Sequence, residues 1–61
     1  MKYWVLCETK DGGPGYAHAT RFDAIEHARK AWKTGFYESV FVQFDTPYGF
    51  LTIWKNGEEK E

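Results

Sequence analysis

The residues of this chain that could take part in covalent or acid–base chemistry are one cysteine, Cys7, and two histidines, His18 and His27. If the segments that contain Cys7 and His18 pair as a hairpin, the two side chains are cross-strand neighbours, and a thiol lies beside a general base. The alternative, which we favour, makes Cys7 a small buried hydrophobic residue and His18 a polar strand residue. His27 is expected on the solvated side of a helix, as an ordinary surface residue.

A glycine-rich run, Gly-Gly-Pro-Gly at residues 12–15, is the second feature that could carry chemistry. It lacks the lysine and the hydroxyl of a phosphate-binding loop and does not lead directly into a helix, so it predicts a turn. One cysteine and two separated histidines do not supply the three or four convergent ligands of a metal site. We therefore expect no catalytic residue, no metal site and no cofactor, and we predict that the chain is not an enzyme.

Size and composition predict one small soluble domain. The chain has 61 residues, a formal net charge of −1, and three Trp, four Tyr and five Phe, whose side chains would supply much of the core. A single cysteine excludes an intramolecular disulfide. The apolar runs are too short for a membrane span or a signal peptide. We expect a cytoplasmic domain over residues 1–61, with residues 55–61 as a frayed tail.

Residues 20–35 form the one convincing helix, and the other elements are expected to pack around it. Thr20 is a suitable N-cap with Asp23 three residues later, and Gly35 is placed to end the helix. At about 100° per residue, one side of the helix is apolar and should face a sheet. That side consists of Phe22, Ala24, Ile25, Ala28, Ala31 and Trp32.

The remaining segments predict β-strands. Residues 3–9 form the first strand, and residues 16–19 either return as a short second strand or form an ordered loop before the helix. Residues 39–44 and 50–54 flank a turn at 46–49 and predict an antiparallel hairpin. The expected fold is therefore α+β in two layers, with one amphipathic helix packed on an antiparallel sheet of three or four strands in the order ββαββ.

The register of this hairpin follows from the type of side chain on each face. The best sorting pairs Phe44 with Leu51, Gln43 with Thr52, Val42 with Ile53, and Phe41 with Trp54. A slip of one residue would mix the aliphatic and the aromatic sets, so the pattern favours this register. The aliphatic face is expected to receive Phe22, Ile25 and Trp32 of the helix.

One helix covers one face of a small sheet, so the other face is expected to stay uncovered. That face would carry aromatic residues and one amide, namely Trp4, Phe41, Gln43, Phe50 and Trp54. Large aromatic groups on an uncovered face usually mark an interface. Three interpretations are open: a homodimer with two sheets packed back to back, a docking face for a different protein, and a surface on which unpaired bases stack.

The function that we favour is non-enzymatic protein binding, with self-association through the aromatic face. A small accessory or inhibitory protein, for example one encoded by a phage, would have this size and composition. The alternative is a single-stranded nucleic-acid binder that combines the sheet aromatics with basic helix residues, Arg29, Lys30 and Lys33. The near-neutral net charge makes nucleic acid the less favoured partner.

Residues 1–34 resemble the start of the HicB-type antitoxins. The resemblance is carried by the strand at residues 2–5, the turn pair Asp11-Gly12, the aromatic residue Tyr16 and the amphipathic helix that follows. The third strand of that family and its Pro/Gly-rich segment before the helix have no counterpart in this chain. No function is carried over from the resemblance.

Overall fold

The computed structural model describes residues 2–60, which form one helix and a five-stranded antiparallel sheet. The elements are β1 (Tyr3–Glu8), β2 (Gly15–His18), α1 (Arg21–Lys33), β3 (Ser39–Thr46), β4 (Gly49–Lys55) and β5 (Glu58–Glu59). The strand order across the sheet is β2-β1-β3-β4-β5. The α+β class is consistent with the prediction, but the sheet has five strands instead of three or four, and the element order is ββαβββ.

The helix begins where its capping residues predict. Thr20 is extended, with φ −124°, and its hydroxyl accepts a hydrogen bond from the backbone N–H of Asp23 at 3.1 Å. This bond satisfies one of the free N–H groups at the helix start. The helix ends at Lys33, and Gly35 follows in the left-handed region with φ +73°. No helix within residues 2–60 is long and apolar enough to cross a membrane.

The helix packs on β1 and β3 through a narrow apolar strip. Ala24, Ile25 and Ala28 are buried, and Trp32 is partly buried against the same core. Because alanine side chains are short, the helix axis can approach the sheet closely. The prediction that Phe22 packs on the sheet is wrong, since Phe22 is 72% exposed. It lines an open groove between α1 and β5 instead.

The buried face of the sheet is aliphatic, with one thiol and one indole. Val5 pairs with Val42 and Cys7 with Val40, so the two central strands present these four side chains to the helix. The backbone N–H of Cys7 donates to the carbonyl of Pro14 at 3.0 Å. A side chain at Gly13 would overlap the carbonyl oxygen of Cys7, so this turn requires glycine there.

A β-bulge changes the predicted register of the β3–β4 hairpin. The pairs of Phe44 with Leu51 and of Gln43 with Thr52 are confirmed, but the register shifts between Val42 and Gln43. Beyond the bulge Trp54 pairs with Val42, not with Phe41, and therefore shares the face that Val42 presents to the helix. The shift buries the largest side chain of the hairpin.

The interpretation of residues 55–61 as a frayed tail is wrong for the residues that the structure describes; Glu61 lies outside them. Asn56 and Gly57 form a tight turn with φ +49° and +96°, as in two-residue hairpins with Asn-Gly. The turn returns the chain as β5, which pairs with Trp54 and Lys55. The Asn56 side-chain oxygen also accepts a hydrogen bond from the backbone N–H of Val40 at 2.8 Å.

The segment after the glycine-rich turn is a strand, so the ordered-loop alternative is wrong. In β2, His18 pairs with Tyr3 at the opposite end of β1 from Cys7. Cys7 and His18 are therefore not cross-strand neighbours, and the thiol–base arrangement does not form.

Candidate interaction surface

The face of the sheet opposite α1 is the candidate functional surface, and we call it the open face. Neighbouring strands place their side chains there in register, because Trp4 pairs with Gln43 and Leu6 pairs with Phe41. On β4, Phe50 and Thr52 lie on the same side. The open face thus consists of Trp4, Leu6, Phe41, Gln43, Phe50 and Thr52.

A shallow concavity of ≈ 340 Å³ lies near the centre of the open face. It is lined by Trp4, Leu6, Gln43 and Phe50. Phe50 is 63% exposed, whereas the other three are half-buried by their neighbours. The Gln43 amide donates to the Thr52 hydroxyl at 3.4 Å, which orients one polar group within an otherwise apolar surface.

Charged residues surround the open face in equal numbers of each sign. The Lys2 ammonium lies 6.0 Å from the centre of the Trp4 ring, and the Lys55 ammonium lies 5.9 Å from that of Phe41. Both distances suit a cation–π contact. Asp45 pairs with Phe50 on β4, and Glu8 ends β1 beyond Leu6. The rim is therefore close to electrically neutral.

Four of the five predicted surface residues lie on the open face, and one does not. Trp4, Phe41, Gln43 and Phe50 are there, although only Phe50 is extensively exposed. The predicted place of Trp54 on this surface is wrong. Trp54 is 2% exposed and lies in the core between sheet and helix, because the bulge reverses its direction.

The basic helix residues lie on the other side of the molecule from the open face. Arg29, Lys30 and Lys33 are exposed on α1, which packs on the opposite face of the sheet. Arg29 also donates to the carboxylate of Glu26 at 2.8 Å. The prediction that these cations act together with the sheet aromatics is therefore wrong in its geometry.

The cysteine and the two histidines lie in two separate places: Cys7 is in the core, and His18 and His27 are together between β2 and α1. Cys7 is buried, and burial raises the pKa of its thiol. The expectation that His27 is an ordinary surface residue is wrong, because its Nδ1 lies 2.7 Å from Nε2 of His18, a hydrogen-bonding distance. Burial, then the nearby His18 and Lys30, lower the pKa of His27. Within residues 2–60, no three His, Cys, Asp or Glu side chains converge as metal ligands.

Three features of this surface and its surroundings were absent from the sequence-based prediction. Lys2, Trp4 and Leu6 are spaced two residues apart, so the alternation of side chains along a strand could have placed Lys2 on the open face. Lys55 reaches Phe41 only because of the bulge, and no residue type in the sequence marks that bulge. The His18–His27 contact joins β2 to α1 and requires the register of both elements.

Comparisons of the chain with protein-family models, with curated proteins and with solved structures find no match, and so give no support to the resemblance of residues 1–34 to HicB-type antitoxins.

Proposed function

We propose that this chain is a non-enzymatic protein-binding module whose open face packs against the open face of a second copy. The observation that carries the proposal is the row of large apolar side chains on a sheet face that the helix does not cover. Exposed apolar clusters of this kind are typical of interfaces. Phe50, as the most exposed member of the open face, would bury the most area on association.

The arrangement of charges suits a two-fold interface. Lys2 precedes Trp4, and Glu8 follows Leu6, so opposite charges lie at the two ends of β1 on the open face. In an isologous dimer, if residue i of one copy contacts residue j of the other, then residue j of the first copy contacts residue i of the second. A two-fold axis across the middle of β1 places Lys2 of each copy opposite Glu8 of the other, and Trp4 opposite Leu6.

The size of the open face predicts weak self-association. Three strands about 4.8 Å apart, with six residues rising about 3.3 Å each, give a face of about 300 Å². A stable complex usually buries about 800 Å² on each partner. We therefore expect a dissociation constant in the micromolar range or weaker, so that dimer and monomer exchange.

An accessory or inhibitory role toward a different protein is the second part of the proposal. Tyr48 is 99% exposed at the turn between β3 and β4, beyond the pairing of β1 with β3. The turn is held by the Thr46 hydroxyl, which donates to the Gly49 carbonyl at 2.7 Å and accepts from the Tyr48 N–H at 3.2 Å. Tyrosine is one of the residue types that most often act as anchors at protein interfaces.

Sedimentation equilibrium of the wild type, Phe50→Ser and Phe22→Ser tests the self-association. The two phenylalanines are similarly exposed but lie on opposite sides of the molecule, which makes Phe22→Ser a matched control. We expect the wild type and Phe22→Ser to associate at high concentration and Phe50→Ser to remain monomeric. A monomeric wild type at about 1 mM, or equal weakening by both substitutions, would overturn the proposal.

Single-stranded nucleic acid is the second candidate partner. Lys2 lies beside the Trp4 ring and Lys55 beside the Phe41 ring, and proteins that bind single strands combine aromatic rings that stack on bases with cations that contact the phosphate backbone. The neutral rim makes it the weaker candidate. Binding of an unstructured oligonucleotide across a salt series discriminates the two. Affinity that falls steeply with salt and is lost in Lys55→Gln would favour nucleic acid.

A further inference from the structure

The contact between His18 and His27 joins the edge of the sheet to the helix. The two ring nitrogens are 2.7 Å apart, the ring centroids are 5.0 Å apart, and the rings are close to perpendicular at 84°. The ring of Tyr16, also on β2, lies against His27 at 4.7 Å. Two residues of the edge strand, Tyr16 and His18, therefore contact the same helix side chain, His27.

Strand β2 has few other means of attachment. It has four residues, it is at the edge of the sheet, and among residues 2–60 it pairs only with β1. Of its side chains only His18 is half-buried, whereas Tyr16 and Ala17 are exposed. Edge strands with little buried area open most easily, so a hydrogen bond to the helix adds to the four-residue pairing with β1 that holds β2.

We propose that His18 and His27 form a proton-sensitive latch, which holds β2 against α1 when at most one ring is charged and releases it when both are. A hydrogen bond between two imidazoles requires one ring nitrogen to donate and the other to accept. Two neutral rings meet this requirement, and so does a pair that carries one additional proton. Two imidazolium rings have only donors, and their charges repel each other.

The charged groups around the latch favour its release in acid. Lys30, one turn further along α1, adds positive charge near His27. From the sheet, Tyr16 contacts His27 and Tyr3 pairs with His18, and neither is an Asp, Glu, Lys or Arg residue. Asp23, one turn before His27, and Glu26, which is paired with Arg29, are the nearest carboxylates along α1.

The direction of the pH effect follows from proton linkage. The pKa of His27 is lowered in the folded protein, so the unfolded ring binds its proton at a higher pH than the folded ring does. The contribution of the latch to stability is complete above the ordinary histidine pKa of about 6.5 and is lost as the pH falls through the lower folded value.

Amide hydrogen exchange of β2 at pH 7.5 and pH 5.0, corrected for intrinsic exchange, tests the latch. We expect protection of the β2 amides to fall about tenfold in acid, the size of one ordinary hydrogen bond. The β4 amides, including Thr52, serve as the internal reference and should keep their protection. In His27→Gln, whose amide can hydrogen-bond but does not titrate, the β2 amides should show the same protection at both pH values.

Two results would overturn the latch. One is wild-type β2 protection that is equal at both pH values, and the other is an equal acid-induced fall in His27→Gln. A titration of the wild-type imidazole C–H resonances by NMR decides the case if the variant does not fold. The β2 amide shifts must then follow the second of the two coupled protonation steps, and shifts that follow neither step refute the latch.

Discussion

The most informative single change is the replacement of Trp54, because sequence and structure assign this residue to opposite faces. Trp54 is 2% exposed within the core, whereas Phe50, four residues earlier on the same strand, is 63% exposed. Truncation of a buried tryptophan to alanine typically costs about 3–5 kcal/mol. A core of this size rarely supplies more than about 3–5 kcal/mol in total. We therefore expect Trp54→Ala to be largely unfolded at 25 °C.

Urea unfolding followed by far-ultraviolet circular dichroism measures this effect without depending on tryptophan fluorescence. Phe50→Ala is the matched control on the same strand, and it should change the free energy of unfolding by no more than about 0.5 kcal/mol at concentrations too low for association. Trp54→Phe keeps most of the buried volume and should cost about 1–3 kcal/mol, which gives a measurable value if the alanine variant does not fold.

Equal stability of Trp54→Ala and Phe50→Ala would refute the placement of Trp54. So would a loss of more than about 2 kcal/mol in Phe50→Ala alone, since an exposed side chain cannot leave a cavity of that cost. Either result would mean that the β3–β4 hairpin lacks the bulge and that Trp54 lies on the open face.

Substitutions at two positions and one measurement of thiol reactivity test particular contacts. Gly13→Ala should prevent the native turn and cost several kcal/mol in urea unfolding, since the new methyl group would overlap the carbonyl oxygen of Cys7. Asn56→Ala should lower the free energy of unfolding by about 2 kcal/mol, because the variant loses the 2.8 Å hydrogen bond from the Val40 N–H and alanine is strained at φ +49°. Asn56→Gly loses the same hydrogen bond, but glycine tolerates that φ, so the loss should be only about 1 kcal/mol. The Cys7 thiol should react with a disulfide reagent at pH 8 at least about a hundredfold more slowly than in urea, because it is buried and its pKa is raised; an equal rate would place Cys7 at the surface.

The sequence predicts well those features that depend on a few neighbouring residues. The start of α1 follows from Thr20 and Asp23, three residues apart, and the hydrogen bond between them forms as expected. The turn at residues 46–49 fixes the register of the pairs next to it, so Phe44 and Leu51 are paired as predicted. Capping and turn formation depend on residues that are close in the sequence, so they can be predicted without knowledge of the tertiary packing.

The bulge at Val42 and Gln43 could not be predicted in the same way. No glycine or proline marks it, and the sorting of aliphatic and aromatic side chains between the two faces favours the register without the bulge. The burial of Trp54 against the helix favours the bulged register, and that packing exists only in the folded structure. A one-residue shift then reverses the face of every side chain beyond it, which is why Trp54 was assigned to the wrong side.

Strand β5 was missed although a local signal was present. Asn56 and Gly57 form the dipeptide most typical of a two-residue hairpin, but the acidic residues after it suggested a solvated tail. Glu58 and Glu59 are exposed on both sides, so β5 is held by backbone pairing to β4 and not by apolar burial. The alternation of apolar and polar residues therefore does not reveal β5, and the Asn-Gly turn before it is the one signal for the strand.

In the proposed function, two copies of the chain meet through the open face. A dilution series of ¹H–¹⁵N NMR spectra from about 1 mM to about 20 µM tests this directly. We predict that the Trp4 indole N–H, the Gln43 side-chain amide and the Phe41 backbone amide shift with concentration along one binding curve, while the amides of Lys30 and Lys33 on α1 stay fixed. Shifts confined to α1, or no shifts over this range, would contradict the proposed interface.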